Sequence, residues 1–295
     1  MPCFNGERFI EKQVMSILNQ SHKAIELIIV DDKSTDNTAS IISQLSLQFS
    51  QIKFYQNPTN LGLNKNFEKA ISLATSDLIA LSDQDDIWLP TKVEELLNAI
   101  GDHWLVFSNS RLINEDDEQI DGTLIHGLSI ERLSFKSISI NNFVTGHTTL
   151  FKKEILKFAL PFPIKGYYDW WLGFVATYHN KITLLNKNLT LYRIHSASYI
   201  QQQEEKVNND EVISAELNYN STLINLHNVS NYKYLKEKDK RFLRRLMTIY
   251  RIKKKTLAPL TFFYYLHFNA LFPETRKRKI ISKTRWKLAK YFAKS

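Results

Sequence analysis

Three carboxylates stand within four residues in Ser82-Asp83-Gln84-Asp85-Asp86-Ile87-Trp88, directly after the apolar run Asp77-Leu-Ile-Ala-Leu81. The run reads as a short buried strand, so the acids sit at a strand end. Like charges crowded there repel one another and need a neutralising partner. Carboxylate oxygens suit a hard divalent cation, Mn2+ or Mg2+. Such a cation keeps few protein ligands and bridges to phosphates, so Asp83-x-Asp85 points to a metal–diphosphate site. The same acids also suit a solvated turn that caps the helix beginning near Pro90.

A second strand end repeats the arrangement. Glu26-Leu-Ile-Ile-Val30 is a β-branched apolar run, and Asp31-Asp32-Lys33-Ser34-Thr35-Asp36 follows at once. A helix over 37–49 then starts behind a cluster of capping residues. In an open α/β sheet, ligands bind outside the carboxyl ends of the parallel strands. Two acid-tipped strands sharing that edge read as a nucleotide-diphosphate and metal pocket.

These elements must be positioned by a larger scaffold, and its outline is legible. Helices are expected over 7–19, 37–49, 64–74 and 90–100, with strands over 26–30, 52–56 and 78–82 between them. That rhythm argues for an α/β fold with a mostly parallel central sheet and helices on both faces. Further along, 104–108 and 148–151 read as strands, 111–123 as a polar hairpin and 152–159 as a short helix. Residues 169–178 form a helix apolar nearly all round, and 182–185 and 189–193 two short strands. Residues 129–140 fit no clear pattern, and the Gln-, Glu- and Asn-rich stretch 201–210 reads as a linker.

Together the motifs resemble a family. Pro2-Cys-Phe-Asn-Gly6 with Ile17-Leu-Asn-Gln20, Val30-Asp-Asp-Lys-Ser-Thr-Asp36, Asn60-Leu-Gly62 and Ser82-Asp-Gln-Asp-Asp86 are similar to successive signatures of family 2 glycosyltransferases, inverting enzymes of the GT-A fold. The Ser-Asp-Gln-Asp-Asp-Ile-Trp wording and the later Tyr168-Asp-Trp-Trp171 resemble most the rhamnosyltransferase-like members that build bacterial surface polysaccharides. The resemblance covers about residues 2–200. It implies transfer from a dTDP- or UDP-sugar to a glycan or lipid-linked acceptor, assisted by Mn2+ or Mg2+.

The same resemblance implies roles. Asp85 would coordinate the metal, Asp83 would support it or touch the ribose, and His195 would complete the site. Asp86 is expected to orient its neighbours. Asp31 and Asp32 would read base and ribose beside a wall of Pro2, Phe4 and Asn5, and Lys65 would meet a phosphate. Asp169 is the expected general base, although capping of its own helix is compatible with the same position. His147 is expected near the acceptor, and Trp170 or Trp171 against a sugar face or in the core. The resemblance also implies an apolar strand just before Pro2, which this sequence lacks; the expectation is a true start several residues upstream, or else a chain that folds poorly.

The bulk composition restricts the remaining possibilities. A chain of 295 residues with 43% hydrophobic residues holds one large domain and an appendage. Its single cysteine, Cys3, excludes an intramolecular disulfide framework. The net charge of +9 is unevenly spread: residues 231–295 hold 20 Lys and Arg against 3 Asp and Glu, or +17, leaving 1–230 at −8. The expected division is therefore a GT-A domain over 1–200, a linker or helix over 201–230 and a basic, aromatic helical tail over 231–295. The 16 residues Leu257–Phe272 are apolar but short of the roughly 20 that span a bilayer, so the tail suits an anionic membrane surface, and the chain a peripheral place on the cytoplasmic face. Packing of the tail on the catalytic domain is the alternative. A nucleotide-sugar pyrophosphorylase is disfavoured for want of a glycine-rich N-terminal loop. A catalytically inactive scaffold and a nucleic-acid-binding protein remain as other readings, but the chain has no recognised nucleic-acid motif and no such partner is expected.

Overall fold

The alternation in Leu27-Ile28-Ile29-Val30 sets the layers of the fold. Successive side chains of a strand point to opposite faces. In the computed structural model, Leu27 and Ile29 of strand β2 (Leu27–Asp31) pack with Ile10, Val14 and Ile17 of helix α1 (Ile10–Leu18) and with Ile42 and Leu45 of α2 (Thr38–Gln48). Ile28 and Val30 face the other way, against Ala70 of α3 (Leu63–Leu73). Helices therefore cover both faces, as the sequence implies. The structure describes residues 1–195, 211–253, 255–273 and 282–294. The expected linker at 201–210 falls outside them.

Two compact units account for the described chain, one made of residues 1–125 and 144–195, the other of 126–143 with the C-terminal helices. In the first unit, strand β1 (Pro2–Cys3), β2 and β3 (Ile52–Gln56) form a parallel sheet, with Pro2 opposite Val30 and Leu27 opposite Ile52. A second sheet runs in the order β4 (Leu78–Ala80), β8 (Thr149–Lys152), β6 (Leu105–Ile113), β9 (Ile182–Arg193) and β5 (Ile87–Trp88), with β7 (Gln119–Thr123) paired to β6. The α/β class holds, but this second sheet is mixed: β6 and β9 are parallel, and the other pairs antiparallel. A cavity of about 400 Å³ lies along β2 and β4, lined by Leu27, Phe67, Ile71, Ile79, Trp88 and Leu150. Of the expected first strand the chain supplies the two residues of β1, so Pro2 and Cys3 are themselves strand residues.

Helix α4 (Lys92–Ile100) places Leu96 and Ile100 on Val106, Leu150 and Leu189. Helix α7 (Tyr168–Tyr178) is buried along nearly its whole length, in keeping with its apolar circumference. The two short strands expected near the end of this unit are one twelve-residue strand, β9, which pairs with β6 on both sides of residues 185–187, where the register shifts around Asn109.

The second unit gives the unassigned segment 129–140 its place. Helix α5 (Phe135–Ile138) is closed by a reciprocal Ser134–Ser137 cap, and Ser134 Oγ donates to Ala270 O at 2.9 Å. Asn225 Nδ2 donates to Ser139 O at 2.9 Å. Ile140 joins a core with Leu226 of α8 (Glu211–Ser230), Leu246 and Tyr250 of α9 (Glu237–Arg251), Leu260 and Phe268 of α10 (Ala258–Leu271) and Ala289 of α11 (Ser282–Lys294). Among the described residues, no helix is long and apolar enough to cross a membrane.

Asp32 shows how a strand end builds the loop beside it. Its carboxylate accepts from Asn57 Nδ2 at 2.7 Å, Leu61 N at 2.8 Å and Gly62 N at 2.9 Å. Gly62 has φ +80°, a backbone region open to glycine at little cost. Asp32→Ala leaves Leu61 N without its acceptor, with Asn57 Nδ2 and Gly62 N keeping only Asn66 Oδ1 and Asn60 Oδ1, and is expected to cost about 1–3 kcal/mol. Denaturant unfolding measures it, and a change below about 0.5 kcal/mol, the scale of an ordinary surface substitution, would remove this role from Asp32.

Candidate active site

The carboxylates after β4 are split between two environments. Asp85 is directed to His195, with Oδ2 2.9 Å from His195 Nε2. Asp83 and Asp86 are directed to His147, whose Nδ1 lies 3.5 Å from Asp83 Oδ2 and 3.6 Å from Asp86 Oδ2. The ligand atoms of Asp83, Asp86 and His147 all lie within 4.8 Å of one another. The side chains of Asp83 and Asp85 are 35% and 18% exposed, whereas that of Asp86 is fully buried.

Each partner is fixed from behind. His147, in the turn before β8, is held by Ser110 Oγ at 2.9 Å from Nε2, and its ring stacks on Tyr192 at 4.8 Å. Burial alone would lower its pKa, but the Asp86 and Asp83 carboxylates outweigh burial and hold it above the ordinary histidine value. Asp86 is pushed up to about 7, chiefly by burial, with His147 opposing and Asp85 and Asp83 adding to the rise. Its Oδ1 accepts from Arg193 N at 3.1 Å, and its Oδ2 has no hydrogen-bond donor. Lys92 is wholly buried beneath this group. Its Nζ donates to His147 O and, at 2.8 Å, to Thr190 Oγ1, and lies 3.9 Å over the Trp88 ring. Burial drives its ammonium well below the usual lysine range, against the pull of Asp86 and Asp83.

Arg193 locks the loop from the β9 side. Its Nε donates to Asp85 O at 2.8 Å, its Nη1 to Asn114 O at 2.9 Å, and its guanidinium pairs with Asp117 and lies 4.5 Å over the Phe9 ring. On the opposite side, the Gln84 amide clamps the Phe4 backbone, accepting from its N at 2.8 Å and donating to its O at 3.0 Å. Gly6 lies so near that an added Cβ would come within 2.6 Å of Gln84 Oε1.

The other sequence-identified residues fall into three groups. Asp31 is buried and accepts from Ser34 N at 3.1 Å and Gln56 Nε2 at 3.0 Å, while Phe4 and Asn5 are exposed beside it and Asn5 Oδ1 accepts from Thr35 N at 2.9 Å. Pro2 is buried in β1 and Asp32 is saturated by its loop, so neither presents a free polar or flat surface to a base. Asp169, in the first turn of α7, accepts from Gly146 N at 3.0 Å and Trp170 N at 2.6 Å, which ties it to the turn carrying His147. Trp170 and Trp171 are 5% and 8% exposed, and Trp171 Nε1 donates to Ala159 O at 2.7 Å. Both indoles are core, not sugar platforms. His147 stands in the carboxylate cluster rather than on a separate acceptor side. Lys65 is exposed and lines another cleft, with Glu68, Lys69, Pro161 and Ile164, which none of the clustered carboxylates borders.

Four positions escaped the sequence reading: Gln84, Lys92, Ser110 and Tyr168. Lys92 carried a signal, since it falls on the buried face of an amphipathic helix where a lysine needs a partner. Tyr168 hydrogen-bonds Asp83, stacks on Phe67 at 3.7 Å, and crowds Gly146.

A divalent cation fits the Asp85–His195 pair. Donor atoms about 2.1 Å from one cation in adjacent octahedral positions lie about 3.0 Å apart, and the Asp85–His195 separation is 2.9 Å. The Asp83, Asp86 and His147 group could also hold a cation, with Asp83 its most exposed member.

Known proteins share this fold. Residues 1–159 match the model of glycosyl transferase family 2, and the chain belongs to that family. An uncharacterized glycosyltransferase of Nostoc sp. is 30% identical over 206 residues, 66% of this chain and 63% of its own, so the match spans less than two thirds of that relative. The dTDP-rhamnosyl transferase RfbG of Shigella flexneri is 37% identical over 115 residues, 37% of this chain and 38% of its own. Among solved structures, S. aureus TarS 1-349 in complex with UDP-GlcNAc superposes with a TM-score of 0.63 at 17% identity, covering 98% of this chain and 77% of that one.

The contact between Tyr168 and Gly146 gives a direct test of the site's packing. In Gly146→Ala the new Cβ would lie 2.0 Å from Tyr168 Oη, so the ring must move. The expected cost is about 1–3 kcal/mol, the usual range for overpacking. Tyr168→Phe, made in the same background, should recover part of it. Additive losses in a double-mutant thermal series would show that the two residues do not meet.

Proposed function

We propose that this chain is an inverting glycosyltransferase that moves a sugar, rhamnose being the leading candidate, from a dTDP- or UDP-sugar to a hydroxyl of a glycan or lipid-linked acceptor. The observation that carries the reading is the Asp85–His195 pair, set beside half-exposed Asp83 at the end of β4. Asp83, Asp85 and His195 would hold Mn2+ or Mg2+, which when bound supplies positive charge against the leaving diphosphate. The remaining steps fall to the chain's own groups. Phe4 and Asn5 flank the nucleoside, and Asp31 accepts its hydrogen bonds in addition to those from Ser34 and Gln56. Arg193 and Gln84 hold the loop rigid while charge develops. Asp169, fixed by two backbone N–H groups, takes the proton of the acceptor hydroxyl. The acceptor oxygen then bonds to the anomeric carbon as the bond to the diphosphate oxygen breaks, so a single displacement inverts the centre.

The second unit supports the acceptor and the place of action in this reading. Its basic surface and aromatic helices favour a peripheral seat on an anionic membrane, on the cytoplasmic face where nucleotide sugars are found, and hence a lipid-linked acceptor.

Two substitutions test the chemistry. Asp85→Ala should abolish the stabilisation that manganese with UDP or dTDP gives in a thermal shift, and transfer with it, while the melting temperature of the ligand-free protein stays near that of the intact chain. Retention of manganese-dependent nucleotide binding would move the metal to the Asp83, Asp86 and His147 group. Asp169→Asn keeps size and the ability to accept hydrogen bonds at one oxygen, but not basicity. Transfer from dTDP-rhamnose should fall about 10²–10⁴-fold with nucleotide affinity nearly unchanged, and an equal loss of both would make Asp169 a structural residue.

A further inference from the structure

Helix α10 is apolar on more than the face it buries. Leu260, Phe263, Tyr264, Phe268 and Leu271 lie in the core of the second unit, yet the opposite side, Ala258, Phe262, Leu266 and Asn269, is exposed. Phe262 and Leu266, one turn apart, are each 54% exposed. A helix that is hydrophobic all round is ordinarily buried all round, so Phe262 and Leu266 stand open in the described structure, while Asn269 at the end of the face accepts from Arg285 Nη2 at 2.9 Å. Trp286 of α11, 43% exposed, stands beside it, 5.7 Å from the Tyr265 ring.

Charge identifies the partner. No acidic or basic residue interrupts α10, but exposed Lys255 precedes it and exposed Lys287 and Lys290 follow Trp286 on α11. Residues 231–295 as a whole carry +17. A flush apolar face rimmed by cations, with an indole at the boundary, complements a layer of hydrocarbon under anionic head groups. Nucleic-acid binding interleaves cations with the stacking aromatics, whereas no cation stands in the helix between Phe262 and Leu266. At 14 residues, α10 is too short to span the bilayer and suited to lie in its surface.

We propose that the Phe262–Leu266 face of α10, with Trp286, inserts into the head-group region of an anionic phospholipid membrane while the surrounding lysines and arginines hold it there. This rests on the membrane-bound acceptor described above and names the surface that makes the contact.

The test is co-sedimentation of the full chain with vesicles of phosphatidylglycerol and phosphatidylcholine, or of phosphatidylcholine alone, at low and high salt. The intact chain should sediment with the anionic vesicles and keep a residual fraction at high salt. Phe262→Ser with Leu266→Ser should bind at least tenfold more weakly at an unchanged melting temperature. Binding within twofold of the intact chain would overturn the proposal, as would an intact chain that ignores anionic vesicles at low salt. So would a self-association that the double variant abolishes while vesicle binding persists, or a single-stranded oligonucleotide that binds the same face and displaces the vesicles. If the double variant does not fold, quenching by brominated lipid of the fluorescence lost in Trp286→Phe gives the answer: quenching supports insertion, and its absence excludes it. Manganese-dependent stabilisation by UDP or dTDP is read on the same samples, so loss of donor binding strikes the catalytic reading and loss of vesicle binding only this one.

Discussion

The mutual repulsion of Asp83, Asp85 and Asp86 is the constraint around which the first unit is built. Three carboxylates at the end of one short strand would dissipate their repulsion by swinging into water, and a site that did so would hold nothing in place. The chain instead answers each charge separately. Asp85 is given His195, Asp83 is given Tyr168 and His147, and Asp86 is buried where its carboxyl rises to about 7 and shares His147. Burial without compensation would be costly; Lys92, whose own ammonium burial disfavours, braces the group from beneath through His147 O and Thr190 Oγ1.

That division separates the working surface from its support. Asp85 and His195 bond each other outside the Asp86–His147 layer. In the buried layer His147, Ser110, Lys92 and Thr190 are joined through β6, β9 and α4, so movement of one would expose the others. Arg193 links the layers, since its backbone holds Asp86 and its side chain holds the Asp85 carbonyl. A positioned site needs such a second layer, because a loop alone does not keep donor atoms within a few tenths of an ångström.

Much of this was readable from residue order, for reasons that differ between elements. β2 announces itself by its continuous β-branched apolar run, α7 by apolar residues on every side, and the meeting of Asp85 with His195 by motif alone. The pairing of the second sheet was not readable, since short apolar runs such as Thr149-Leu-Phe carry no sign of parallel or antiparallel direction. Asn186-Lys-Asn188 looks like a turn locally, yet strand β9 continues through it with a shift of register against β6. Asp32 is indistinguishable from Asp31 in sequence, and only the fold shows that one is spent on Leu61 and Gly62. Trp170 and Trp171 read equally as stacking or core residues; the exposures decide for the core. Segment 129–140 had no pattern because its partners, Asn225 and Ala270, lie about 90 to 140 residues further on.

The uneven charge of the chain has a consequence for how the two ends cooperate. Residues 1–230 carry −8 and residues 231–295 carry +17. In the proposed membrane contact an anionic surface would repel the first group and attract the second. Salt weakens both effects together, over a distance of about 8 Å at physiological ionic strength. Apolar contact through Phe262 and Leu266 is not screened in this way. In the proposed contact the two kinds of force would act in succession: charge would draw the chain to the surface, and burial of the α10 face would keep it there at high salt.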